Sequence, residues 1–335
     1  MDEPKFVIVV GASAGGLNAL SEFAGQLKAE MDAAVFVVMH LSRTSISDFL
    51  MHRLQPLTEL TCEIATEGAT IKKGHLYVAS PNLHFLVKKG KIVLGHGPEE
   101  NRWRPSIDVL FRSAAAAYST RVIGVVLTGL LNDGTTGMLA IKRSGGKCIV
   151  QDPNEAEYPD MPLSVLDNME VDYCISLAEM GDVISGITQT IPEEKPAPED
   201  VIIESQIAER VVVDYDNIRK LGVKSIYACP DCGGGLWNIN KGGEGQGKVD
   251  RYRCHIGHSY SEKDLVLKQG EVLESTLWIA LRIMEERRNL LMKMGADHTK
   301  KGFSKLATGY KDKADDIQKH VDIMKGVLFA SQKSA

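Results

Sequence analysis

The stretch FVIVVGASAGGLNAL, Phe6–Leu20, decides the fold. Phe6-Val7-Ile8-Val9-Val10 is continuously apolar and mostly β-branched, as in a strand buried on both faces of a parallel sheet. Gly11 ends that run. Leu17, Leu20 and Phe23 then recur at helical spacing, which predicts a helix starting near Gly15 or Gly16. Ser13 sits in the turn between them, at the carboxyl edge where open α/β sheets place their sites. The helix start also turns unpaired N–H groups toward any negative charge nearby.

The turn has three readings. A dinucleotide loop needs G-x-G-x-x-G, and the spacing here is Gly11, Gly15, Gly16, with no acidic residue closing the second strand. A nucleophile turn would expose Ser13 beside oxyanion donors. The third is a plain strand-to-helix connection, which this segment alone favours.

Outward from this unit, Ala34–Met39 is a second buried run and ends at His40. Phe49 to Leu57 reads as helix. Leu76–Ala79 is a short strand, and Leu83–Val87 with Lys91–Leu94 flank Lys88-Lys89-Gly90 as a β-hairpin. Ser106 is the expected cap of a helix running to Tyr118. Arg121–Thr128 is a third buried strand entering Gly129-Leu130-Leu131-Asn132-Asp133-Gly134, with a helix after it. Lys147–Gln151 and Val171–Ile175 add strands, and a helix over 178–190 closes this part. Three buried strands therefore end in Ser13, His40 and Asp133. If the strands are neighbours, these side chains converge as a nucleophile, its base and the carboxylate that orients the base. Singly, each has a plainer reading: a turn serine, a satisfied strand-end histidine, and an aspartate that makes a turn and caps the next helix.

The chain has 335 residues, 44% of them apolar and 25% charged, with a formal net charge of −5. That balance does not suggest a general nucleic-acid binder. No apolar run approaches the ~20 residues that span a bilayer, and MDEPKF does not resemble a signal peptide. Cys62, Cys148 and Cys174 read as scattered thiols, whereas Cys229, Cys232 and Cys254 cluster with histidines. This is a cytosolic pattern with a metal site rather than a disulfide framework.

The segments VVGASAGGLNAL, FVVMHLS, GHLYVASPN, RPSIDVLFRSAA, VVLTGLLNDGTTGMLAIKRSGG and VQDPNEAEYPDMPLSVLDNMEVD, in this order, resemble the catalytic domain of the CheB-type chemotaxis protein-glutamate methylesterases. The resemblance covers about the first 190 residues. It implies a doubly wound, mostly parallel, Rossmann-like α/β domain whose catalytic Ser, His and Asp fall on Ser13, His40 and Asp133. It further implies hydrolysis of glutamate γ-methyl esters on the cytoplasmic helices of methyl-accepting chemoreceptors, releasing methanol. Many members also deamidate receptor glutamines. The Ala14 N–H is the expected oxyanion donor, no cofactor serves catalysis, and the location is cytoplasmic. The chain departs from the pattern at several points. Leu130-Leu131 stands where Met-Gly or Thr-Gly is common, and Ala14 where the archetype has threonine. Leu41-Ser42 follows the histidine without the usual nearby proline. The archetype's phosphorylatable receiver domain is not found ahead of Phe6, so regulation by it within this chain is not expected.

Residues 191–205, rich in proline and charge, read as a linker between the catalytic domain (1–190) and a ribbon-like module (206–261). In that module Cys229-x-x-Cys232 and Cys254-x-x-x-His258 have the spacing of a structural, tetrahedral Zn²⁺ site. His255 adjoins Cys254, and neighbouring side chains rarely share one ion, so it is not assigned as a ligand. A redox Cys pair is the weaker reading. Lys241, Lys248, Arg251 and Arg253 form a modest basic patch, not enough to expect nucleic acid. Over 262–335, Leu277, Met284 and Leu291, with Leu281, and then Ile317, Val321, Met324 and Leu328, predict two helices broken near Gly302. They form a hairpin or short coiled coil, which could pair two copies or dock a signalling partner. The alternative to the enzyme is a signalling scaffold on a methylesterase fold, binding through the zinc module and these helices.

Overall fold

The computed structural model describes residues 3–40, 46–209, 215–239 and 250–331. Leu41 and Ser42, and Lys241 and Lys248 of the expected basic patch, lie outside the described residues.

The chain alternates strand and helix through β1 (Phe6–Ala12), α1 (Gly16–Gly25), β2 (Ala33–Met39), α2 (Ile46–Leu54) and β3 (Thr61–Ile64), and β4 (His75–Val78) follows β3 without a helix between. The hairpin β5 (His84–Lys88) and β6 (Lys91–Gly95) interrupts this rhythm. It resumes with α3 (Ile107–Tyr118), β7 (Val122–Val126), α4 (Thr135–Arg143), β8 (Lys147–Gln151), α5 (Asp160–Asn168), β9 (Tyr173–Ile175) and α6 (Met180–Thr188). Seven strands form one sheet in the order β3-β4-β2-β1-β7-β8-β9, every neighbouring pair parallel. The expected doubly wound sheet with a hairpin is what forms.

Alternation along β1 makes the two layers. Val7 and Val9 face Leu110, Phe111, Met138 and Ile141 on one side. Ile8 and Val10 face Leu20, Phe23, Met180 and Ile184 on the other. All four β1 side chains are fully buried, each worth roughly 1.5–3 kcal/mol of transfer free energy. From β1 the chain goes to β2, out to β3 at the edge and back to β4 between them, then crosses to β7 on the other flank. The β1–β7 boundary is therefore a topological switch point, where open sheets leave a crevice. Strand β3 was not expected from sequence. It is an edge strand, and of its four residues only Cys62 is buried, so it carries no apolar run to read.

Two compact units divide the chain, residues 1–264 and 265–335. In the first, residues 191–205 are only partly the linker expected. The extended stretch gives way to α7 (Glu199–Glu209), which buries Val201, Ile203, Glu204 and Ile207 and packs on α3. The proline-rich run ends at Pro198, and apolar residues at helical spacing follow it. After α8 (Tyr215–Leu221), the strands β10 (Val223–Ala228), β11 (Gly235–Asn238), β12 (Arg251–Cys254) and β13 (Ser259–Ser261) make an antiparallel ribbon in the same unit. Then come α9 (Glu262–Lys300) and α10 (Ser304–Ser331). Within the second unit these helices meet through Leu281, Val321 and Leu328, flanked by Leu277, Met284, Ile317 and Met324. Gly302, at φ 80°, marks the reversal. Among the described residues no helix is long and apolar enough to cross a membrane.

Candidate active site

Register places the nucleophile candidate beside its base. Ala12 of β1 pairs with Met39 of β2, and the His40 N–H donates to Ala12 O at 3.0 Å. Ser13 and His40 thus leave adjacent strand ends together. On the β7 side the Ser13 N–H donates to Thr128 O at 3.0 Å, and the Thr128 hydroxyl donates to Ala14 O at 3.1 Å. Thr128 is itself held by Gln151 Oε1, which accepts its N–H at 2.9 Å. Gly129 follows, and here only glycine fits. A Cβ would lie 2.8 Å from Ser13 Cβ and 2.2 Å from Met161 Sδ.

Asp133 reaches the pair from the turn after β7. His40 Nε2 lies 2.9 Å from Asp133 Oδ2, with the two side chains 1% and 2% exposed. The contact is within ion-pair distance without meeting hydrogen-bond geometry. The carboxylate also accepts the Ser106 hydroxyl (2.9 Å), the Asn101 Nδ2 (3.0 Å), and the N–H groups of Ile107 (2.7 Å), Asp108 (3.2 Å) and Gly134 (3.1 Å). Ser106 occupies the cap position of α3 but makes no capping bond. Its expected role is taken by Asp133, which answers the free N–H groups of α3 and sits at the positive end of that helix. Burial alone would raise the Asp133 carboxyl, but the His40, Asn101 and Ile107 donors outweigh it and hold the group below its usual range.

With Nε2 turned to Asp133, Nδ1 is the other His40 ring nitrogen. It is buried and has no hydrogen-bond partner. Catalytic hydrogen bonds often close only when substrate is bound. The imidazole is clamped from one face by Trp103, with ring centroids 4.1 Å apart and planes 7° from parallel. A cleft opens beside the two rings, lined also by Ser80, Asn82, Arg102 and Arg104. Ala14 lies in the turn ahead of α1, where Gly15 takes the left-handed φ of 72° before the first helical turn. Among the described backbone groups none accepts the Ala14 N–H. Leu130 and Leu131 stand 46% and 38% exposed, and Leu131 is in a left-handed backbone at φ 66°.

A second constellation lies in the ribbon. Ligand atoms of Cys229, Cys232, Cys254 and His258 all fall within 4.8 Å of one another. Cys232 Sγ to Cys254 Sγ is 3.7 Å, and Cys254 Sγ to His258 Nδ1 is 3.4 Å. A tetrahedral Zn²⁺ with ordinary bond lengths requires about 3.8 and about 3.6 Å, so the donor set and its spacing suit such an ion. The Tyr260 hydroxyl contacts Cys229 Sγ at 3.2 Å and donates to Asp231 at 2.5 Å. This is the outer-shell pattern of a metal site. Arg251 and Arg253, expected in a basic surface patch, are instead buried and paired with Glu204 and Glu100.

Asn101, Trp103 and Asp108 were not singled out from sequence. They lie in or beside the polar stretch before α3, where no periodicity marks a site.

Residues 8–184 match the family profile described as CheB methylesterase. A protein of Leptospira interrogans is 37% identical over 189 residues, which is 56% of this chain and 97% of that one. A Methanosarcina mazei protein named protein-glutamate methylesterase/protein-glutamine glutaminase 2 is 35% identical over 191 residues, covering 55% of this chain and 52% of its own length. The chain thus spans about half of that relative. The crystal structure of the Thermotoga maritima CheB methylesterase catalytic domain superposes with a TM-score of 0.52 at 29% identity, over 55% of this chain and 97% of that domain. Strand order, the strand-end serine and histidine, and an aspartate 2.9 Å from that histidine lead where the profile leads: this chain belongs to the CheB methylesterase family.

Proposed function

We propose that this chain is a protein-glutamate methylesterase that hydrolyses glutamate γ-methyl esters on the cytoplasmic helices of methyl-accepting chemoreceptors. The names of its Methanosarcina and Geobacter relatives, which also carry protein-glutamine glutaminase, support deamidation by the same route. The observation that carries the reading is the buried 2.9 Å approach of His40 to Asp133 one register step from Ser13. Ser13 Oγ attacks the ester carbonyl while His40 takes its proton through Nδ1. Asp133 steadies the imidazolium at Nε2. The Ala14 N–H stabilises the tetrahedral oxyanion, a donor of a kind worth roughly 10²–10³ in rate. The C–O bond to the methoxy group breaks, His40 returns the proton, and methanol leaves. Water repeats the sequence on the acyl-serine and frees the glutamate carboxylate. Glutamine would release ammonia instead.

In the same reading Cys229, Cys232, Cys254 and His258 hold a structural Zn²⁺, residues 1–190 form the catalytic domain and 206–261 the ribbon module. The site of action is the cytoplasm. The test is methanol release from methylated chemoreceptor membranes, wild type beside Ser13→Ala. Release abolished in the variant is the expected result. No release from folded wild type across several receptors would overturn the reading. A second reading, a partner-binding scaffold, draws on the exposed apolar side chains of the helical pair, among them Trp278, Ile283 and Leu290. A serine-reactive phosphonate separates the two: the enzyme is labelled at Ser13 and loses labelling in His40→Ala, whereas a scaffold is not labelled.

A further inference from the structure

We propose that the ribbon is a working part of the esterase site, with Arg253 as a positioning residue for the loop that carries Asn101 and Trp103. The kinetic side of this inference rests on the methylesterase reading; the structural side does not.

Strand β12 sends alternate side chains to opposite faces. Cys254 points into the metal-ligand cluster, and Arg251 and Arg253 point the other way, into the first unit's core. Arg253 is fully buried and grips Glu100 with both arms of its fork, Nη1 to Oε1 at 2.8 Å and Nη2 to Oε2 at 2.7 Å. Its Nη1 also donates to Gly257 O at 3.1 Å, inside the loop between Cys254 and His258. Paired forks of this kind fix orientation as well as charge.

Glu100 is the first residue of the loop that builds the site. The next residue, Asn101, bridges Asp133 and Asp108 with its amide, at 3.0 and 2.7 Å. Trp103, which stacks on His40, exchanges two backbone hydrogen bonds with Glu100, at 3.0 and 3.2 Å. Between them Asn101 and Arg102 hold left-handed φ of 49° and 69°. Such conformations persist where the surroundings over-determine them. The ribbon supplies two more holds. Ser259 O accepts the Asn101 N–H at 2.9 Å, and Ser261 Oγ accepts Asn132 Nδ2 at 2.8 Å, one residue before Asp133.

These three holds on the catalytic turns come from residues beyond the 8–184 stretch that matches the family. The chain thus anchors the candidate site with parts that lie outside the stretch matching the family. Arg253 and Ser259 are next to Cys254 and His258, so the order of the ligand cluster is transmitted to Glu100 and Asn101. A displacement of the order of 1 Å at a catalytic group can cost about a hundredfold in rate.

The experiment uses the full chain. Arg253→Gln, Arg253→Lys and Ser261→Ala are compared with wild type by folding cooperativity, zinc content, the NMR signals of the Trp103 indole and His40 imidazole, and ester hydrolysis. We expect Arg253→Gln to stay folded and zinc-loaded, to shift both signals, and to lower kcat about 10- to 100-fold with little change in KM. Arg253→Lys, which keeps the charge and loses the fork, should recover part of each. Removing zinc from wild type with a chelator should shift the same two signals, and restoring it should return them. A folded Arg253→Gln with unmoved signals and wild-type kcat overturns the proposal. Should Arg253→Gln not fold, Ser261→Ala and chelated wild type decide: unmoved signals in both overturn it. Wild type that hydrolyses no ester refutes the esterase reading alone, because the two signals still report whether the ribbon sets the loop.

Discussion

Asp133 and Asp108 cap one another's helices. Asp133, in the turn that leads into α4, accepts the first N–H groups of α3, those of Ile107 and Asp108. Asp108, in the first turn of α3, accepts the Gly137 N–H at 2.6 Å and the Thr136 hydroxyl at the start of α4. The Asn101 amide lies between the two carboxylates and donates to both. Burial, and then the neighbouring Asp133 charge, push the Asp108 carboxyl up, while Asp133 stays low against the same burial. Two acids in one polar pocket are thus driven apart, the one facing His40 downward and the other upward.

The crossed caps predict a separation of stability from activity. Asp108→Ala leaves the Gly137 N–H and the Thr136 hydroxyl unanswered and should cost about 2–3 kcal/mol of stability in urea unfolding. Asp133→Ala should cost a similar amount and also remove the partner of His40, lowering kcat by about 10⁴. If Asp108→Ala proved as inactive as Asp133→Ala while still folded, the assignment of Asp133 as the orienting carboxylate would fail.

Trp103 is expected to act on rate through His40. Trp103→Ala removes the parallel indole 4.1 Å from the imidazole. The stacking of such a pair is worth about 0.5–1.5 kcal/mol, so kcat/KM should fall about 2- to 10-fold. Trp103→Phe keeps an aromatic face and should retain most of the rate. Equal losses in both variants would show that the indole serves the cleft through its N–H and not through stacking.

Ser13 and His40 were legible in sequence because each ends an unmistakable apolar run. Asp133 was legible as a strand-end acid. Its bond to α3 was not, because a helix capped by a residue of another element leaves no local pattern, and Ser106 looked sufficient. Arg251 and Arg253 misled for a related reason. Spaced two apart on a short strand among glycines and polar residues, they resemble a solvated patch. Their burial depends on Glu100 and Glu204, which are distant in sequence. Helix α7 was hidden by the prolines just before it, and β3 by its polar edge position.

Leu131 holds a backbone conformation with a measurable cost. Its φ of 66° is in the left-handed region, and 38% exposure returns little burial. An L-residue there loses roughly 1–2 kcal/mol, partly offset by the greater unfolded freedom of glycine. Leu131→Gly should therefore raise stability by about 0.5–1 kcal/mol, read as a higher Tm. A lower Tm would mean that the leucine side chain packs usefully in the turn.

Acid should dismantle the ribbon's grip on the catalytic loop. Glu204 is buried, which by itself raises its carboxyl; Arg251, then Arg112 and Arg253, overcome this and bring it from 4.5 down to about 2. Glu100 is lowered in the same way, with Arg112 and Arg253 as its main partners. A carboxyl with a depressed folded value contributes stability that is complete above its unfolded value and is lost as pH falls toward the folded one. For Glu204 that window runs from about 4.5 to about 2. Asp108 and Asp264, both raised, act in the opposite sense, favouring the folded state as they take up protons. Unfolding free energy measured against pH should thus fall through this window in wild type. In Glu204→Gln it should start lower at neutral pH, with three arginines facing one carboxylate fewer, and change less with acid. A Glu204→Gln curve parallel to that of wild type through the window would show that Glu204 carries no differential charge on folding, and that Glu100 and Asp108 balance the arginines.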